Sequence, residues 1–285
     1  MIKTPLSTVI GGAFWTPSCT VIGGNTPTFD QQIQKLFANG EQGFFYDPND
    51  LSTMYQDAVG TVPVTSVGQP VGLIRDKSGR NNHAYQTVSA SRPILRQNAI
   101  TSAYYLEFDG TDDFLQTNNI DFTATDKVSL FAGVRKLSDA AQGILCELST
   151  SVFESNNSGA FAVLAPGTAT LTTFRPYSRG TVLANTNAVP TAPAPNSFVG
   201  TAKMAISIPK IDVRVDGVDR VFTNMDQGTG TYGNHPLYIG RRGGTINPFN
   251  GRIYGLIGIG KLTTDGETLV IEKELAKRTG VSLNV

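Results

Sequence analysis

The chain has 285 residues, of which 40% are hydrophobic and only 16% charged, a length that one all-β sandwich routinely fills. Its 23 basic and 23 acidic residues give a formal net charge of zero, which excludes a basic field able to draw in a polyanion and so argues against nucleic-acid binding. Cys19 and Cys146 match neither a CxxC redox pair nor a zinc framework, and a fold without disulfides is expected.

Residues 5–24 are apolar in places, but Pro5, Pro17 and several glycines interrupt them. A membrane span needs about 20 consecutive apolar residues, and no continuous apolar core of signal-peptide type follows Lys3 either. No membrane span and no export signal are therefore expected. Phe14 and Trp15 stand between glycines, placed either to pack on the protein's own sheet or to dock on a neighbouring subunit. A short helix follows, capped at Thr28 or Asp30, with Ile33, Leu36 and Phe37 on one face and Gly40 where a left-handed residue ends a helix. Residues 1–42 are read as an attachment arm. Within it Phe14, Trp15, Ile33, Leu36 and Phe37 are the candidate contacts to other subunits, because contiguous apolar residues on so broken a backbone mark a contact surface.

From Gly43 onward, strand-like runs alternate with Gly, Asn, Asp and Pro. Residues 104–108, 127–135, 143–148, 161–164, 171–174, 198–208, 211–215, 220–223, 237–239 and 252–259 all read as strands. Around Asp216-Gly217 the alternation of Val213 and Val215 with polar residues predicts a tight β-hairpin, since that dipeptide tolerates positive φ. The three prolines at 190, 193 and 195 predict an exposed loop. Near the C-terminus, Thr263 or Thr264 opens a helix carrying Leu269, Ile271 and Leu275, which Gly280 stops. This helix is expected across one end or edge of the sheets. Residues 43–285 thus read as one all-β sandwich domain.

Three stretches carry a family resemblance. The first is residues 43–52 leading to Asp76, Ser78, Gly79, Asn82 and His83. The second is residues 105–115, with Phe108-Asp109-Gly110 followed by Asp112 and Asp113. The third is residues 237–241, then 249–255, and a helix ending at Gly280. In this order they resemble the LamG-like, concanavalin A-like jelly-roll proteins encoded by many tailed bacteriophages and prophages. The resemblance implies a jelly-roll β-sandwich in a virion assembled in the bacterial host cytoplasm. It also implies a non-enzymatic structural protein of the tail tip, baseplate or fibre, held to other virion proteins by the arm. A trimer or symmetric ring is expected, because attachment sites on such particles have rotational symmetry. A head-decorating or head-fibre protein is the alternative location.

The candidate ligand is a host-surface carbohydrate, which needs aromatic faces and fixed polar donors. Arg175, Tyr177, Arg179, Tyr232, Asn234, His235, Arg241 and Arg242 lie in or beside expected loops and offer such groups. Asp109, Asp112 and Asp113 offer hard oxygen ligands that suit calcium, with turn capping as the competing role; no other cofactor is expected. Glu107, Asp109 and Asp112 approach the spacing of glucanases that share this fold. A glycan hydrolase is the second alternative, weakened by the shorter Asp at the third position. His83 and His235 are the two imidazoles, and no nucleophile elbow accompanies them.

Overall fold

The structure is a computed structural model that describes residues 27–285 apart from 151–157, 169–170 and 187–188. Two compact units divide the chain, Met1–Gln32 and Ile33–Val285. Helix α1 (Phe29–Lys35) crosses that boundary, and the second unit is a two-layer β-sandwich.

One layer contains β1 (Gly43–Tyr46), β5 (Ile94–Gln97), β6 (Tyr104–Asp109), β8 (Lys127–Lys136), β14 (Ser197–Ala205), β15 (Lys210–Val215), β16 (Val218–Thr223) and β18 (Asn250–Ile259). Its spatial order is β16-β15-β14-β8-β18-β6-β5, with β1 also paired to β18. The other layer runs β12 (Leu183–Asn185), β11 (Thr173–Arg179), β10 (Phe161–Leu164), β9 (Ile144–Leu148), β17 (Asn234–Ile239), β7 (Leu115–Asp121), β4 (Ala84–Tyr85), β3 (Leu73–Ile74) and β2 (Met54–Tyr55). A short β13 (Val189–Pro190) joins β11 at that edge, so proline enters the sheet where no central ladder needs its amide. The rest of the expected proline loop, with Pro193 and Pro195 exposed, is loop.

Strand alternation builds the core between the layers. On β15, Ile211, Val213 and Val215 point inward while Lys210, Asp212 and Arg214 point out, as the two-residue period requires. Phe174 of β11 meets Phe198 of β14 across the interface at 5.8 Å between ring centres. The β15–β16 turn has Asp216 at φ 52° and Gly217 at φ 82°, the tight hairpin that the sequence predicts. Cys146 is buried in the same core, where burial pushes its thiol far up.

Strands β8 and β18 are buried almost throughout, because their second face is covered too. Helix α2 (Asp265–Thr279) lies there against β8, β14 and β18. Thr264 caps it in a reciprocal capping box with Glu267, and Gly280 ends it at φ 79°. A Cβ on Gly255 would stand 2.9 Å from Leu275 and one on Gly133 would stand 3.4 Å from it, so the bare backbone admits the helix closely. Glu272 of α2 accepts hydrogen bonds from Thr201 and from Arg214, each at 2.8 Å. Arg278 donates to both oxygens of buried Asp47 at 2.7 and 3.1 Å. The helix therefore covers the outer face of the eight-stranded sheet rather than an end or edge: its buried residues Ile271, Leu275 and Ala276 need a broad apolar partner.

Three expected attachment residues are also corrected. Ile33, Leu36 and Phe37 are 0%, 6% and 3% exposed, and a Cβ on Gly43 would come within 2.9 Å of the Phe37 ring. Their apolar stripe is spent inside the second unit and is not offered to another subunit. Phe14 and Trp15 lie outside the described residues.

Candidate functional site

The turn between β6 and β7 brings Asp109, Asp112 and Asp113 together, with one oxygen of each within 4.8 Å of the others. Much of their accepting capacity is committed to the turn. Asp109 Oδ1 accepts the amides of Thr111 and Asp112 at 2.7 and 3.3 Å, and Asp113 Oδ2 accepts the amide of Asp109 at 3.0 Å. Asp112 accepts the Ser91 hydroxyl at 2.5 Å. Burial, with the charges of Asp109 and Asp112 adding to it, pushes Asp113 up to about 6 although the Asp109 amide opposes this. Calcium takes about six to eight oxygens; three partly committed carboxylates fit it in part and fit turn capping fully. Glu107 stands further along β6 with Arg96 on one oxygen at 3.1 Å and Arg252 on the other at 2.9 Å. It anchors β5, β6 and β18 to one another.

The residues expected to bind glycan do not gather into one site, although Arg175 and Arg242 both meet the Tyr177 ring, at 5.1 and 6.0 Å from its centre. Tyr232 is 0% exposed, packed edge-on against Phe161, with its hydroxyl 2.8 Å from Ser178. Burial pushes its phenol far up, and it belongs to the core. Arg242 is 1% exposed and ion-paired at 2.9 Å to fully buried Glu147, because a buried guanidinium needs a partner. Tyr177 is 8% exposed beneath the Arg175 guanidinium, 5.1 Å from its ring centre. Arg175 also donates to the Thr186 carbonyl. Arg179, the last residue of β11, is half-buried. Asn234 is exposed and His235 half-buried at the start of β17, where the His235 ring lies 3.1 Å from the Ser158 carbonyl. Half-buried Arg241 lies beyond the other end of that strand.

A different group of residues does converge, on the outer face of the ten-stranded sheet at its β2–β3–β4–β7 end. Ile74 and Ala84 face the core, so their neighbours Leu73 and Tyr85 face outward. With Asn118 of β7, the 58–59 loop and the turn from Arg75 to His83, they line an open cavity of about 630 Å³. That size is typical of small-ligand sites.

One carboxylate shapes this turn. Asp76 Oδ1 accepts the amides of Phe45 and Ser78, both at 2.8 Å. Its Oδ2 accepts the Ser78 hydroxyl at 2.6 Å and the Asn82 amide at 3.0 Å. Gly79 at φ 85° and Asn81 at φ 60° let the chain reverse around it. The Asp76 amide in turn donates to His83 Nδ1 at 3.0 Å, which places the proton of the neutral ring on Nε2. Burial lowers the His83 pKa, as does the charge of Arg75, while Asp76 opposes. Exposed Arg75 lies 4.6 Å from the Tyr55 ring centre. Tyr85 donates its hydroxyl proton to Asn118 Oδ1 at 3.1 Å. The sequence held a signal for this site, since Asp76, Asn82 and His83 belong to the first of the three family motifs. Read alone, His83 looks like an ordinary turn residue, and only the β3–β4–β7 pairing brings Arg75, Tyr85 and Asn118 beside it.

No family model matches the chain, and no curated protein matches it. Solved structures do. The ligand-binding domain of botulinum neurotoxin serotype D, in complex with N-acetylneuraminic acid, matches with a TM-score of 0.50 and 12% identity, over 70% of this chain and 48% of that one. The fold is a jelly-roll β-sandwich. The receptor-binding domain of the mosaic serotype C/D toxin matches this jelly roll with a TM-score of 0.54 and 8% identity, over 83% of this chain and 51% of that one. The binding domain of neurotoxin DC in complex with SialylT matches at 0.50 and 12%, over 71% and 48%. The chain spans about half the length of these structures.

Proposed function

We propose that this jelly roll is a non-catalytic binding module that contacts saccharide through the cavity bounded by Arg75, His83, Tyr85 and Asn118. The observation that carries this reading is the cavity's lining: a half-buried aromatic ring on the sheet, ringed by amide, imidazole and guanidinium groups. A sugar presents one apolar face and many hydroxyls, and such a lining meets both. Two of the solved neighbours are binding domains in complex with N-acetylneuraminic acid and with SialylT, which supports a saccharide as the class. The ion pairs that occupy both oxygens of Glu107 support binding over hydrolysis.

The three motifs shared with phage jelly-roll proteins support placing the module on a virion, at the tail tip, baseplate or fibre. In this reading the residues ahead of Ile33, with Phe14 and Trp15, hold it to other virion proteins as a trimer or ring.

The test is a saccharide array of host-surface type with the wild type, Tyr85→Ala and Glu107→Gln. Binding that Tyr85→Ala removes, with no sugar release by either other protein, supports the module. Release of sugar that disappears in Glu107→Gln would instead establish a hydrolase. Mass spectrometry and imaging of purified particles test the location.

A further inference from the structure

Resting on that reading of the cavity, we infer that its ligand is an anionic saccharide, whose carboxylate, phosphate or sulfate is received by Arg75. The ground is the sign of the hydrogen bonds left over once the internal ones are made. Asp76 contributes negative charge but no free accepting capacity, because its two oxygens take four donors from Phe45, Ser78 and Asn82. Asn118 Oδ1 accepts the Tyr85 hydroxyl, which leaves that amide's N–H₂ group and one lone pair of its oxygen. His83 Nδ1 is taken by the Asp76 amide, which leaves an N–H on Nε2. Asp57, at the rim beside Ala58, turns its oxygens onto the amides of Val59, Thr61 and Val62 and the Thr61 hydroxyl.

Acceptors remain as well, on Asn82, whose N–H₂ group donates to Gln42 and Gly43, and on the Tyr85 hydroxyl oxygen, but among the lining residues the exposed full charge is the positive one of Arg75. Arg75 adds the largest set: five N–H groups on a planar fork, exposed and held over the Tyr55 ring. Lys77, the neighbouring cation, is already committed to Asp50 at 2.9 Å and Asp47 at 3.7 Å. A neutral hexose brings hydroxyls that both donate and accept, but no charge to match the guanidinium. A multi-oxygen anion on a sugar ring accepts at every oxygen, and guanidinium matches it with two parallel bonds.

The experiment is calorimetric titration with matched pairs of methyl glycosides. The probes are glucuronic acid and its methyl ester, N-acetylneuraminic acid and its methyl ester, and glucose 6-sulfate and 6-phosphate beside glucose, with inorganic phosphate alone as a further probe. The proteins are wild type, Arg75→Ala, Arg75→Lys and Tyr85→Ala; Arg75 is exposed, so its variants fold. Wild type should prefer at least one acid over its neutral partner by about tenfold or more, as charge-assisted bonds allow. The ratio should fall toward one in Arg75→Ala and recover in part in Arg75→Lys. Measurable binding with a wild-type ratio near one overturns the inference and leaves the saccharide site standing. A tenfold ratio that persists in Arg75→Ala, or binding indifferent to Tyr85→Ala, also overturns it. Phosphate alone binding as tightly as the sugar phosphate overturns the saccharide part, and no binding of any glycoside removes both the inference and the reading beneath it.

Discussion

Replacing Asp76 tests whether one carboxylate holds the cavity wall. In Asp76→Ala four donors lose their acceptor; three of them, the amides of Phe45 and Ser78 and the Ser78 hydroxyl, belong to buried residues, and of these the hydroxyl can rotate while the two amides cannot. A buried donor left unpaired costs about 1 to 3 kcal/mol, so the loss for the two amides should total about 2 to 6 kcal/mol. That is a large fraction of the ~5–15 kcal/mol of a typical domain. Asp76→Asn should behave differently. Its single carbonyl oxygen can keep the Phe45 and Ser78 amides, while its N–H₂ group turns toward the Ser78 hydroxyl, which can rotate to accept, and toward the Asn82 amide, which cannot. The expected cost is about 1 to 2 kcal/mol, confined to the Asn82 end of the turn. Urea unfolding of the three proteins gives the energies. Amide exchange separates the sites: Asn82 should lose protection in both variants and Phe45 in Asp76→Ala alone. Equal costs for the two substitutions, or a cost below about 1 kcal/mol for the alanine, would refute the assignment of Asp76 as the organiser of this turn.

Asp113 has its pKa raised to about 6 by burial and by its acidic neighbours, so the folded state holds this proton more tightly than the unfolded chain does. Its contribution to stability is therefore full below about pH 4 and lost as pH rises through about 6. Asp113→Asn should stabilise the protein by about 1 to 3 kcal/mol at pH 7.5, with the difference vanishing near pH 4, as paired denaturation curves at both pH values will show. Millimolar calcium at pH 7.5 should leave the wild-type melting temperature nearly unchanged; a large rise that Asp113→Asn abolishes would make the three carboxylates ligands. Leu275→Ala, at a fully buried contact between α2 and the sheet, should cost about 2 to 5 kcal/mol in urea unfolding. A fragment of residues 33–285 should melt cooperatively, whereas one of residues 43–285 should be less stable because Ile33, Leu36 and Phe37 are gone. Equal melting of the two would show that these three residues contribute nothing to the core.

Much of the sandwich was legible because its signals are local. The alternation on β15, the Asp216-Gly217 turn, and Thr264, Glu267 and Gly280 around α2 each act within a few residues. The two-residue strands β2, β3 and β4 carry no such pattern; pairing with β7 and with one another makes them strands. Two of the glycan candidates, Tyr232 and Arg242, turn out buried for a related reason. Arg242 and Tyr232 look like loop polarity in sequence, but Glu147, 95 residues away, neutralises Arg242 in the interior, and Ser178, 54 residues away, satisfies Tyr232. Burial of a polar group is set by a distant partner. The acidic turn was legible as a cluster, since three aspartates within five residues must meet, while its division between capping and metal binding depends on Ser91 and on the backbone geometry.

The pairing of β1 with β18 and the bond from Asp47 to Arg278 also set a timetable for synthesis. These two residues are 231 positions apart, and at about 5 to 20 residues per second the ribosome needs roughly 10 to 50 s to pass from one to the other. Through that interval Phe44 and Phe45 have left the ribosome without the strand that will cover them, and β8 and β14 wait for the helix that seals their outer face. Closure of so non-local a pairing is slow even in a complete chain. A ribosome that stops before β18 therefore releases an open sheet with a bare apolar edge, a species for chaperones or aggregation, rather than a smaller jelly roll.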